Sequence, residues 1–150
     1  AGRRRQAEVF CRVIDLAQSL DKPLVIHSRD AEQPALDMVK HLDKVVFHCY
    51  SGSLSTMKDA LDRGYYISLA TNVCRSGRHQ ILARNVSLER LMVETDSPFL
   101  SPRGGRNEPS FVLDSIRLIA RIRGMEPQEL AGITAENTKR IYNIRSNTLP

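Results

Sequence analysis

Three residues with metal-binding side chains stand just past short apolar runs, in Ile26-His27-Ser28-Arg29-Asp30, Phe47-His48-Cys49-Tyr50-Ser51-Gly52 and Val93-Glu94-Thr95-Asp96-Ser97-Pro98. Neutral imidazoles and a carboxylate are suitable ligands for Mg, Mn, Zn or a similar divalent ion. A lone histidine after a strand is commonly a hydrogen-bonded structural residue, and an aspartate before Ser-Pro is commonly a turn residue. Three strand ends offering ligands together point instead to a shared site, with His27, His48 and Asp96 as candidate ligands. They lie 21 and 48 residues apart, so only an architecture that gathers strand ends on one rim can bring them together. A parallel α/β sheet does this, because every strand's C-terminal end lies on the same side.

The elements that must hold them are legible. The apolar runs Leu24-Val25-Ile26, Val45-Val46-Phe47, Tyr65-Tyr66-Ile67-Ser68-Leu69 and Leu91-Met92-Val93 start about 20 to 25 residues apart, which fits one strand plus one crossover helix per unit. Continuous apolar strands of this kind suit a parallel sheet covered by helices. Before the first run, Val9, Phe10, Val13, Ile14, Leu16, Ala17 and Leu20 recur at helical spacing, and Pro23 marks the stop. Asp30 is expected to cap a helix carrying Ala35, Leu36, Val39 and Leu42, and Ser53 one carrying Leu54, Met57, Ala60 and Leu61 that stops at Gly64. Residues 75–85 read as a loop or a short helix, and residues 101–109 as a loop. Two helices follow, one through Ile116, Ile119 and Ala120 to Gly124 and one from Pro127 toward Tyr142, before a frayed end at 146–150. Four strand–helix units fill nearly all 150 residues, whereas a (β/α)8 barrel needs about 250. The fold class is α/β: a small open sheet or the second half of a barrel.

With 22 Lys+Arg against 17 Asp+Glu, the net charge is +5. That mild excess steers polyanions such as nucleic acid or phosphate compounds toward the surface. Arg29, Arg103 and Arg106 are the candidate substrate contacts. The last two sit in the loop Arg103-Gly104-Gly105-Arg106-Asn107-Glu108-Pro109, where glycine lets backbone approach an anion and arginine offers paired donors. Asn107 and Glu108 are expected to brace that loop internally. His41 and His79 read as incidental, His79 on a solvated basic face with Arg75, Arg78 and Arg84. Cys11, Cys49 and Cys74 form an odd set without CxxC spacing, which excludes a disulfide framework or zinc ribbon and suits a reducing, cytoplasmic or nuclear setting. No stretch approaches ~20 apolar residues, excluding a membrane-spanning helix and a membrane partner. The opening Ala1-Gly2-Arg3-Arg4-Arg5 has no signal-peptide core, and reads as the interior of a larger fold.

From about Gln6 to Tyr142 the sequence resembles the TatD family of metal-dependent deoxyribonucleases, amidohydrolase-like TIM barrels. The resemblance is carried in order by Pro-Leu-Val-Ile-His-Ser-Arg-Asp-Ala (23 to 31), Phe-His-Cys-Tyr-Ser-Gly (47 to 52), Gly-Tyr-Tyr-Ile-Ser (64 to 68), Glu-Thr-Asp-Ser-Pro-Phe-Leu (94 to 100), Arg-Asn-Glu-Pro (106 to 109) and Ala135-Glu136-Asn137-Thr138. It implies that residues 1–145 are the C-terminal half of a TIM (β/α)8 barrel, strands five to eight with their helices. It further implies that His27, His48 and Asp96 bind metal, two divalent cations per complete site, and that Asp96 also orients or deprotonates the attacking water. DNA is the implied substrate. The family's early His-x-His pair and its Gly-Glu-Ile-Gly-Leu-like glutamate do not occur in this sequence, and residue 1 falls just downstream of that glutamate's place. The Pro102-Arg103 connection is also shorter than the family's usual loop. The implied partner is a missing N-terminal half or a second copy. Two other readings stand beside a nuclease: a metal-dependent hydrolase of another small substrate, and a non-catalytic half-barrel that binds nucleic acid or a protein.

Overall fold

The structure, a computed structural model, describes residues 2–144; the frayed end expected at 146–150 lies outside the described residues. The β-branched runs form β1 (Leu24–His27), β2 (Val45–His48), β3 (Tyr66–Leu69) and β4 (Leu91–Val93). They pair in parallel in the order β1-β2-β3-β4. The helices are α1 (Arg3–Ser19), α2 (Glu32–Met38), α3 (Leu54–Asp62), α4 (Gly77–Asn85), α5 (Val112–Arg123) and α6 (Pro127–Tyr142). Among the described residues no helix is long and apolar enough to cross a membrane.

Side chains alternate across a strand, so each strand divides its residues between two faces. Leu24, Ile26, Val45, Phe47, Ile67, Leu69 and Leu91 belong to one apolar core with Leu36, Met57, Leu82, Ile119 and Leu130 from the helices. Each fully buried aliphatic side chain contributes about 1.5–3 kcal/mol relative to an exposed one, so this layer holds the fold together. The opposite face carries a small cluster of Val46, Tyr66 and Met92 capped by Ile141 of α6. At the sheet's edge Val25, on that second face, stays 48% exposed. Those are the faces to which His27 and His48 also belong by alternation.

The local signals behave mostly as expected. Ser53 caps α3, its Oγ accepting from the Thr56 N–H at 3.0 Å. Gly124 and Asn143 end α5 and α6 in left-handed conformations, and Pro127 opens α6, where its missing N–H costs nothing. Residues 75–85 resolve into α4, capped by Ser76, after a short 3-10 turn at Thr71–Cys74.

Two expectations need correction. Asp30 does not cap α2: the helix follows Ala31, whose N–H donates to the Ser28 carbonyl at 2.8 Å. Closing that turn places Asp30 at φ 56°, a conformation aspartate tolerates better than most residues. Helix α2 also stops at Met38, so Val39 and Leu42 reach the core from the coil beyond it. Side chains from later elements satisfy the carbonyls at this end, Arg63 donating to Leu36 O at 2.9 Å and Tyr65 Oη to Val39 O at 2.7 Å. Tyr65 itself precedes β3 and is held by α3, its N–H donating to Ala60 O.

Candidate metal centre

Register brings the two histidines together. His27 and His48 are direct partners at the C-terminal ends of β1 and β2, with ring centroids 5.6 Å apart. On β4, Val93 pairs with Leu69, and the Glu94 N–H donates to Leu69 O at 3.1 Å, extending the ladder one residue. Alternation then turns Glu94 to the face of Met92, Val46 and His48. Asp96 follows at φ 57°. Asp30, Cys49 and Asp96, each just past a strand end, are all left-handed non-glycine residues. Such backbone costs of order 1–3 kcal/mol at each position and clusters where function demands a particular side-chain direction.

The three donors that converge are His48, Glu94 and Asp96, whose ligand atoms all lie within 4.8 Å of one another. His48 Nδ1 is 2.6 Å from Glu94 Oε2, and His48 Nε2 is 3.4 Å from Asp96 Oδ1. The second oxygen of Glu94 accepts the Cys49 N–H at 2.8 Å, which fixes the carboxylate's direction. One imidazole with a carboxylate at each nitrogen, half-buried and pinned by backbone, is a donor set suited to Zn, Mn or Mg. His27 stands beside this cluster without belonging to it. Glu94 was not among the residues singled out from sequence, although it follows β4 more closely than Asp96 does. The rule that a polar residue at a strand end faces the rim selects Glu94 as readily as it selects the histidines.

The neighbouring loop is closely packed and internally bonded. Burial pushes the Cys49 thiol up to about 11, helped by the Glu94 and Asp96 carboxylates and opposed by Arg29. Cys49 is therefore a neutral bystander near pH 7, and Arg29 is close enough for its charge to be felt. Gly52 is required sterically, because a methyl group there would run into the Tyr50 phenol. The Arg78 guanidinium donates to the Ser51 and Gly52 carbonyls.

His79 is not on a solvated face. It is half-buried, with Nδ1 2.8 Å from Ser76 Oγ and Nε2 3.1 Å from both Ser51 Oγ and the Asn72 amide nitrogen. Burial, and secondarily Arg78, lowers the His79 pKa. The unfolded chain therefore binds a proton at this residue more readily. Its contribution to stability is complete above about pH 6.5 and is lost as pH falls from there through the lowered folded value. His79→Gln is expected to flatten the fall in stability between pH 6.5 and 5 measured by urea unfolding; an unchanged slope would contradict this reading of His79.

The arginines divide. Arg103 is held by Asp114 through two bonds of 2.7 and 3.0 Å and lies 4.2 Å from the Phe111 ring centroid, so its charge is used within the loop. Arg29 and Arg106 are exposed and make no ion pair among the described residues. Asn107 is buried, and its amide donates to Thr71 Oγ1, Thr95 O and Phe99 O at 2.8, 2.7 and 2.5 Å. It ties down the segment that carries Asp96.

A metal-dependent hydrolase of Methanocaldococcus jannaschii, MJ1582, is 40% identical over 143 residues, covering 95% of this chain and 57% of its own length. The human deoxyribonuclease TATDN3 is 32% identical over 143 residues, covering 93% and 52%. In fold, the chain is similar to YJJV, a TatD homolog from Escherichia coli, with a TM-score of 0.83 at 22% identity over 95% of this chain and 58% of that one. The chain thus spans a little over half the length of the curated relatives it matches. The family model described as TatD related DNase matches residues 1–143, and by that match the chain belongs to the TatD related DNase family.

Proposed function

We propose that this chain forms strands five to eight of a (β/α)8 barrel, and that the complete protein is a divalent-metal-dependent nuclease hydrolysing DNA phosphodiester bonds. The observation that carries the reading is the convergence of His48, Glu94 and Asp96 on the C-terminal rim of a parallel sheet, the rim on which barrel enzymes place their chemistry. The relatives' greater length and the exposure of Val25 on the less covered face support the half-barrel arrangement.

His48, Glu94 and Asp96 would hold the metal, with His27 beside them as a further ligand. A bound divalent cation polarises phosphoryl oxygens and brings the pKa of a coordinated water near neutrality. The chain's own contribution is positional and acid–base. Asp96 orients the attacking water and takes its proton. Glu94 is kept in place by the Cys49 N–H, and Arg29 and Arg106 offer positive charge to the substrate's phosphates.

The test is hydrolysis of single- and double-stranded DNA and of a small chromogenic phosphodiester by the metal-replete full-length protein. Cleavage that stops in EDTA and returns when Mn, Mg or Zn is restored is expected. Inert DNA and phosphodiester, with turnover of another ester or an amide under the same conditions, would move the activity to the broader hydrolase class named for the archaeal relative.

A further inference from the structure

Phe99 is the most exposed large apolar side chain among the described residues, at 69%. A single exposed hydrophobe needs no explanation by itself, but the backbone around this one is held on every side. The Phe99 N–H donates to Asp96 O at 2.9 Å. Its carbonyl accepts from buried Asn107. The next residue, Leu100, sits at φ 60° with its carbonyl bonded to Thr71 Oγ1 at 2.8 Å. A fixed backbone thus presents a free aromatic ring three residues from Asp96.

The residues on either side of Phe99 in the chain line two open grooves. Ser97 and Pro98 line one of about 560 Å³ that also receives Arg106 and Glu108. Leu100 and Ser101 line the other, of about 370 Å³, with Arg75, Asn72, Ser76, Gly104 and Gly105. In the first groove Glu108 opposes an anion. In the second, Arg75 faces only neutral groups, and Gly104 and Gly105, both left-handed, offer backbone without side chains to a closely approaching anion.

We propose that Phe99 is a stacking platform for one nucleobase of a single-stranded or frayed polynucleotide, and that the Arg75 groove takes the adjoining phosphate. The inference rests on the nucleic-acid reading of the metal centre and deepens it: the strand is gripped beside the scissile bond through a base face, which every base possesses, so grip does not depend on sequence. A duplex must open to offer that face.

These 150 residues contain no tryptophan, so Phe99→Trp adds an indole at the proposed contact, read as the difference in emission from the wild-type protein. The full-length variant is titrated, in EDTA to prevent cleavage, with an oligothymidylate and with an abasic oligomer of equal length and charge. Saturable quenching by the first and not the second is expected. Phe99→Ala should weaken oligothymidylate binding about tenfold, as aromatic truncation does at stacking sites, and leave abasic binding unchanged. Arg75→Ala should weaken both alike and reduce the salt dependence by about one counterion. Equal quenching by the two oligomers, or Phe99→Ala binding both as the wild type does, would overturn the proposal. Because no turnover is measured, the two readings fail separately. Base-dependent quenching in a protein that cleaves no DNA would sink only the nuclease, whereas cleavage with base-independent quenching would sink only the platform.

Discussion

Asp96→Asn is expected to lower metal-supported hydrolysis by about a thousandfold while the protein keeps its fold. The substitution conserves shape. Asparagine tolerates the left-handed backbone at φ 57° as well as aspartate does, whereas alanine there would add strain of its own. What is lost is one of the two carboxylates facing His48, at 3.4 Å from Nε2, and with it the group assigned to take the water's proton. General-base contributions run to about 10²–10⁴-fold, and loss of a ligand charge adds to that, so a thousandfold fall, about 4 kcal/mol in the barrier, is a moderate expectation. Glu94→Gln should act in the same direction through weakened metal affinity, visible as a higher metal concentration for half-maximal rate. The check is initial rates across a metal titration, alongside thermal melts. An Asp96→Asn enzyme within tenfold of the wild type at saturating metal would remove Asp96 from the chemistry.

The second large effect is expected at a residue that touches no substrate. Asn107 is 2% exposed, and its amide serves three acceptors while Oδ1 accepts the Glu108 N–H at 2.9 Å. Asn107→Ala leaves the part-buried Phe99 carbonyl without its donor and the Glu108 N–H without its acceptor, while Thr95 O keeps only Thr71 Oγ1. Each unsatisfied buried group costs about 1–3 kcal/mol, eased where water can enter. A loss near 3 kcal/mol follows, or a melting point lower by about 10 °C for a domain of this size. Activity should fall further than stability does, because Thr95 precedes Asp96 and the loop that aims the carboxylate is released. Asn107→Asp is the sharper control, since it keeps volume and replaces the donor by a charged acceptor facing carbonyls. A melting point within about 2 °C of the wild type for either variant would show that the loop is held by other means.

Residues 101–109 illustrate how far reading from sequence could go. An internal bracing role for Asn107 was legible from its company in a loop of glycines and charges, and the hydrogen bonds bear it out. The commitment of Arg103 to Asp114 was not, because the partner lies eleven residues on, on α5. His79 misled for a related reason. Its neighbours in sequence are basic and solvated, but its neighbours in space are Ser51, Asn72 and Ser76, two of them from the preceding rim loop and turn.

By itself the sequence determined what depends on local periodicity and punctuation: four short parallel-type strands at a regular interval, the helices between them, the caps at Ser53, Gly124 and Pro127, and the placing of His27, His48 and an acidic residue at strand ends. Helical spacing, β-branching and left-handed glycines act within a few residues, so a linear reading captures them. The tertiary structure alone decided which donors meet. Register sets His27 beside His48, the extension of β4 by one residue turns Glu94 onto their face, and a left-handed Asp96 brings the second carboxylate to the far nitrogen of the same ring. These are differences of one residue in pairing or one backbone well in a turn. Each moves a side chain across a sheet or away from a rim without altering composition or pattern, and so leaves no trace in the sequence that a local rule can read.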